Sequence, residues 1–173
     1  MTETPDAREN LDLRGFEQSL PIALLRAREA TMRRFKPHVD GHGLTIQQWR
    51  VVRALADAGP LDSKALSSRC VIMAPSLTRI FRALESKGLI REEPSADARR
   101  HVVGLTKAGR TLYNRMSKTS EAIYREIEEA FGAHRMAQLL TLLRDLRETA
   151  DALDARPPPP KPQPAKYRSR TAR

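Results

Sequence analysis

Ser76, Thr78, Arg79 and Arg82 interleave with an apolar stripe of Leu77, Ile80, Phe81 and Leu84. The stripe has the period of an amphipathic helix, which spans about 74–87. One face is left for hydroxyl and guanidinium groups, the types that bond base edges and phosphates. Further on, Asp97, Arg99 and Arg100 fall in a polar segment, 94–100, too hydrophilic for a core. Guanidinium groups on such a loop can enter the negative potential of a DNA minor groove. Other reactive side chains make weaker patterns. His38 and His42 have the i,i+4 spacing of a metal pair, with Asp40 nearby, but Gly41 and Gly43 place them at a helix end without further clustered ligands. Cys70, flanked by Val71 and Ile72, reads as an inert buried thiol. No Ser/His/Asp set, phosphate loop or paired-carboxylate motif stands out, so the chain is not expected to be an enzyme and no cofactor is expected.

The elements that must position these groups follow from local signals. Ser19 and Pro21 open a first helix over about 20–39, ended by Gly41 and Gly43. Thr45 and Gln48 have the spacing of a capping box, and Trp49, Val52, Leu55 and Ala56 line one face of the helix that follows. Gly59 and Pro60 stop it. Asp62 caps a short third helix containing Ala65, Leu66 and Arg69. A brief turn leads to the 74–87 helix, where Met73 stands at the cap position but cannot cap, leaving Ser76 to help. Gly88 closes that helix.

The period then changes. Residues 89–93 and 101–105 read as two strands around the basic loop, a β-hairpin. Thr106 restarts helix, with Gly109 tolerated in its first turns, and the pattern Leu112, Met116, Ile123, Ile127 and Phe131 continues to Gly132. A last helix, about 133–153, carries Met136, Leu139, Leu140, Leu143, Leu146 and Leu153. The sequence therefore predicts a mainly α fold: a winged helix-turn-helix at about 44–106, flanked by dimerisation helices in 16–43 and 107–155. Residues 1–15 form a flexible extension, and 156–173 form a basic, Pro-rich disordered tail.

The formal net charge of +10 points to a polyanionic partner. Six cations and no acid follow Asp154, so the tail supplies much of it. No apolar run approaches membrane-spanning length and no signal-peptide pattern opens the chain, so no membrane partner is expected. The single cysteine excludes an intrachain disulfide and fits a reducing cytoplasm. In the 74–87 helix, double-stranded DNA is the partner that the residue types fit. Two long amphipathic helices around a small reading unit also carry more apolar face than a monomer can cover, which implies a homodimer. Its operator would be a pseudo-palindrome with half-sites about 34 Å apart.

Over roughly 20–153 the chain resembles the MarR family of regulators. The resemblance rests on Asp97 and Arg99 followed by Leu105 and Thr106, on Leu44, Thr45, Gln47, Gln48 and Trp49, and on Leu84, Glu85, Lys87, Gly88 and Leu89. The family's subgroup controlling homoprotocatechuate (4-hydroxyphenylacetate) catabolic operons is most similar. That likeness lies in 23–30, in 47–50, in Cys70 with 75–78, and in 112–115. The resemblance implies a two-fold dimer held by the first and last two helices, and repression relieved by a small aromatic acid. It implies that Asp97 orients Arg99 by a charge-assisted hydrogen bond and that Arg99 enters the minor groove.

Arg28 is the first candidate for ligand binding. It lies on the stripe of Leu20, Leu24, Met32 or Thr31, and Phe35, and a guanidinium among apolar neighbours needs an anion. That anion is either a carboxylate of the protein, such as Glu121 or Glu29 of the other subunit, or the carboxylate of an aromatic acid. Met32, Trp49 and Arg50 are candidates for the same cavity, although spacing alone explains Trp49 as core. Two alternatives use the same architecture: an effector-independent DNA-binding protein, and a helical adaptor whose winged domain binds protein.

Overall fold

The computed structural model describes residues 15–95 and 100–155. A 3-10 turn at Phe16–Gln18 precedes α1, Leu20–Asp40. The Ser19 hydroxyl makes no capping hydrogen bond, so Pro21 and the fold around it start this helix rather than the expected side-chain cap. The helix α2, Ile46–Ala58, opens on the predicted capping box. Thr45 Oγ1 accepts from the Gln48 N–H at 3.2 Å, and Gln48 Oε1 accepts from the Thr45 N–H at 2.9 Å. The buried face of α2 is wider than its spacing predicted: Val51 and Ala54 are buried with Trp49, Val52 and Leu55, and Ala56 is only half-buried.

Asp62 caps α3, Ser63–Cys70, accepting from the Ala65 N–H at 2.7 Å. The helix α4, Ala74–Ser86, begins at Met73 without a side-chain cap, so Ser76 does not supply the help expected of it. Four side chains, Leu77, Ile80, Phe81 and Leu84, are buried as the stripe requires. Gly88 follows α4 at φ +67°, a left-handed turn that glycine takes without a Cβ penalty.

Among the described residues the sheet has three strands, where the sequence predicts two. The strand β1, Leu61–Asp62, was missed in the sequence; β2 is Ile90–Glu93 and β3 is Val102–Leu105. The order is β1-β3-β2 and both pairings are antiparallel. Then α5, Lys107–Phe131, starts at Thr106, whose Oγ1 accepts from the Gly109 N–H at 3.0 Å and donates to the Gly88 carbonyl at 2.6 Å. Gly109 is required here rather than merely tolerated, because a Cβ would run into the Leu89 carbonyl.

The chain divides into two compact units between Arg125 and Glu126. In the first, one apolar core joins all these helices and the sheet: Val39, Val51, Val52, Leu55, Leu66, Leu77, Leu84, Val103 and Met116 are essentially inaccessible. Each such side chain contributes about 1.5–3 kcal/mol relative to exposure. Leu20, Leu24 and Leu25 near the start of α1 stay exposed. The second unit holds the end of α5 and α6, Ala133–Asp154, separated by Gly132. On α6, Leu139, Leu140, Leu142, Leu143 and Leu153 are exposed. Residues 1–14 of the expected extension and the tail at 156–173 lie outside the described residues. No helix among the described residues is long and apolar enough to cross a membrane.

Candidate nucleic-acid interface

The second helix of the helix-turn-helix, α4, is held from below and open above. Its apolar side chains sit in the core, while Thr78, Arg79 and Arg82 are exposed and Ser76 is half-buried. The α3–α4 turn is built around an unusual residue. Val71 sits at φ +50°, a left-handed conformation that a β-branched side chain rarely adopts. Ser67 stabilises the turn by donating to the Ile72 carbonyl at 2.7 Å. Val71 and Met73 are 85% and 77% exposed, so apolar groups project beside the start of α4.

The hairpin stands next to α4. The Phe81 and His101 rings lie 5.7 Å apart, tying α4 to the start of β3. Ser63, Thr78, Phe81, Arg82, Glu85 and His101 line a cleft of about 340 Å³ between α4, the start of α3 and the hairpin. Asp97 and Arg99 lie outside the described residues. Arg100, the second cation expected on the wing, is ion-paired with Asp62. The Arg100 guanidinium, together with the Ala65 N–H, holds the Asp62 carboxyl below the ordinary carboxylate range.

The expected ligand residues divide between different settings. Arg28 is exposed in the single chain, not embedded among apolar groups, and pairs with the adjacent Glu29. Its stripe on α1 continues through half-buried Met32 to buried Phe35. Trp49 is buried against Tyr113, ring centroids 5.9 Å apart. Arg50 turns toward the helix-turn-helix, donating to the Cys70 carbonyl at 2.8 Å. Burial pushes the Cys70 thiol upward, away from the reactive thiolate.

Arg53, one turn beyond Trp49, takes the direction expected of Arg50. Its Nη1 donates to Tyr124 Oη at 2.6 Å, and its guanidinium lies 5.5 Å from the centre of the Tyr124 ring. Tyr124 in turn packs on Phe35, ring centroids 4.7 Å apart. A guanidinium, a phenol and a phenyl ring thus meet where α1, α2 and α5 approach. Spacing within α2 cannot choose between Arg50 and Arg53, so this cluster was missed in the sequence.

The two histidines serve the scaffold. His38 Nε2 lies 3.1 Å from the Met116 carbonyl oxygen and 3.3 Å from Ser120 Oγ, and His42 Nδ1 lies 2.9 Å from the His38 carbonyl. Burial holds the His38 imidazole below its ordinary value.

A three-stranded wing beside an uncovered, cationic second helix defines a winged helix-turn-helix protein. The MarR family pattern matches residues 42–101. The homoprotocatechuate degradative operon repressor of Escherichia coli is 48% identical over 131 residues, covering 75% of this chain and 88% of that protein. The chain belongs to the MarR family, and the relatives it matches are transcriptional regulators rather than enzymes. Solved structures that share the fold include two with a bound partner. NadR in complex with 4-hydroxyphenylacetate is similar with a TM-score of 0.72 and 38% identity, over 78% of this chain and 99% of that one. The transcriptional repressor CouR, bound to a 23-mer DNA duplex, has a TM-score of 0.68 and 28% identity, over 76% of this chain and 94% of that one.

Proposed function

We propose that this chain is a dimeric transcriptional repressor of an aromatic-acid catabolic operon, homoprotocatechuate or 4-hydroxyphenylacetate in type, that a small phenolic carboxylate releases from DNA. The observation that carries it is the exposed face of α4, bearing Thr78, Arg79 and Arg82 beside the hairpin, on a helix whose other face is locked into the core. Such a helix enters the major groove with its hydroxyls and guanidinium groups on base edges and phosphates. Ser76 joins that face. Arg99, oriented by Asp97, reaches the adjacent minor groove.

Exposed leucines near the start of α1, and others along α6, support the homodimer. Two-fold symmetry spaces the recognition helices about one DNA turn apart and makes the operator pseudo-palindromic. The protein works in the cytoplasm. The effector reading draws on the relative that represses a homoprotocatechuate operon and on the neighbour holding 4-hydroxyphenylacetate. In this chain we assign the effector's carboxylate to Arg53, with Arg28 as a second cation and Met32, Phe35, Trp49 and Tyr124 as the apolar and aromatic surround. A guanidinium pairs a carboxylate bidentately, and the tyrosine hydroxyl suits a phenol or carboxylate oxygen.

Titration against the DNA upstream of its own gene and against random duplex tests the DNA-binding half. Specific binding at least about a thousandfold tighter than to random duplex is expected. Equal affinity for both duplexes would contradict a sequence-specific repressor.

A further inference from the structure

The wing is tied to the helix-turn-helix by a short series of contacts, and the last of them is ionic. The strand β1 pairs with β3 through Leu61 with Val103 and Asp62 with Val102. The Ser63 N–H then donates to the His101 carbonyl at 3.3 Å. One residue closer to the loop, Arg100 Nη2 donates to Asp62 Oδ2. Asp62 Oδ1 is already occupied as the cap of α3. One carboxylate thus clamps the first turn of α3 with one oxygen and the root of the wing loop with the other. The side chain of Asp62 is only 13% exposed and that of Arg100 is 60% exposed, so the acid is fixed and the cation is drawn in to it.

The strands β2 and β3 pair with each other from Ile90–Leu105 to Glu93–Val102, which shapes the hairpin but does not aim it. Aim comes from β1, from the Phe81–His101 contact, and from Asp62. The cap alone does not call for a negative charge, because asparagine or serine caps a helix as well as aspartate. The cleft lined by Ser63, Thr78, Arg82 and His101 begins one residue after Asp62, and an unpaired carboxylate there would repel a polyanion.

We infer that the Asp62–Arg100 pair is a positioning contact that aims the wing at DNA, and that Arg100 serves operator binding through Asp62 rather than by touching DNA. This rests on the DNA-binding reading above and goes beyond it, because it removes Arg100 from the expected set of contacts and adds an acid to the binding machinery.

The two roles predict opposite signs for one substitution. Asp62→Asn keeps an N-cap, since asparagine caps a helix as well as aspartate, but removes the ion pair between this position and Arg100. It also makes each subunit more positive. If Arg100 were a phosphate contact, deleting the negative charge beside it would leave operator binding equal or tighter. A positioning pair predicts binding about tenfold weaker, the size of a typical coupling between contacting residues. Arg100→Gln, on an exposed side chain that the core does not need, is expected to weaken binding similarly. The double variant is expected to be no weaker than the weaker single, because both remove one contact.

Measurements are made with the full-length protein on the operator duplex, well below the melting temperature, with thermal melts run alongside. Weaker binding by Asp62→Asn with a non-additive double variant supports the pair as an aiming contact. Equal or tighter binding by Asp62→Asn overturns it, and so do effects that simply add. If the unsubstituted protein does not distinguish operator from random duplex, the DNA-binding reading itself fails, which is a separate result.

Discussion

Arg53 and Tyr124, 71 positions apart in sequence, join α2 to α5 by a hydrogen bond of 2.6 Å. The tyrosine ring also carries Phe35 of α1 on one side and lies 5.5 Å from the guanidinium carbon. Three helices therefore meet through one cation and two rings. One of them, α2, also packs directly on the helix-turn-helix through the shared core. A ligand competing for Arg53 would change how α1 and α5 hold α2. That gives effector binding a physical route to the DNA-reading unit.

Replacing Arg53 removes the charge that a carboxylate would pair with. Arg53→Gln is expected to raise the 4-hydroxyphenylacetate concentration for half-release of operator about tenfold or more, since a charge-assisted hydrogen bond contributes about 1.5–3 kcal/mol. Tyr124→Phe, which keeps the ring, should have a smaller effect in the same direction. Operator titrations with increasing ligand measure both, and an unchanged half-release concentration in Arg53→Gln would remove that residue from the effector site.

The wing gives a prediction of the opposite kind. Arg99→Ala is expected to weaken operator binding about tenfold or more while the dimer and the melting temperature stay nearly unchanged, because each lost groove contact costs about 1–3 kcal/mol. Binding isotherms and melts are compared on the same preparation. Operator affinity equal to that of the parent would take the wing out of the interface.

At the start of α2, Thr45→Ala breaks both halves of the capping box, since the hydroxyl that accepts from Gln48 is gone and the reciprocal bond loses its partner geometry. The expected loss is about 1 kcal/mol of unfolding free energy. Denaturant melts read it as a lower midpoint at constant slope. No change in midpoint would mean that tertiary packing alone sets where α2 begins.

His38 gives stability a pH dependence with a definite sign. Burial, opposed by the Met116 carbonyl and aided by His42, lowers its folded-state value from the ordinary 6.5. Between that lowered value and about 6.5 the unfolded chain binds more protons than the folded one. Stability is therefore full above that window and falls as pH drops through it. In His38→Gln the decline from about pH 7 to pH 5 should be shallower, with His42 common to both proteins. Parallel stability profiles would show that another group controls the acid limb.

Where periodicity and caps act locally, the sequence was readable. The stripe of Leu77, Ile80, Phe81 and Leu84 placed α4 and its exposed face, and Thr45 with Gln48 placed the start of α2. Asp62 was legible as a cap but not as a partner of Arg100, because the pair spans 38 positions and leaves no local pattern. Two residues, Leu61 and Asp62, are too few to show an alternation, which hid β1. On α2, Arg50 and Arg53 lie one turn apart at the edges of a wide buried face. Only the packing of Cys70 on one side and Tyr124 on the other separates their directions. Arg28 was expected among apolar groups because its stripe is apolar; in the single chain that part of α1 is uncovered, so the guanidinium reaches solvent and Glu29.

Addition of 4-hydroxyphenylacetate or 3,4-dihydroxyphenylacetate to the preformed complex with the operator duplex tests the whole proposal most directly. Specific binding is expected without ligand, with a shift to weaker binding as ligand rises, by about five- to 150-fold at saturation, the usual range of coupling between two sites. An isotherm that neither compound moves would contradict it, and would leave a winged-helix protein that binds DNA without an aromatic-acid effector.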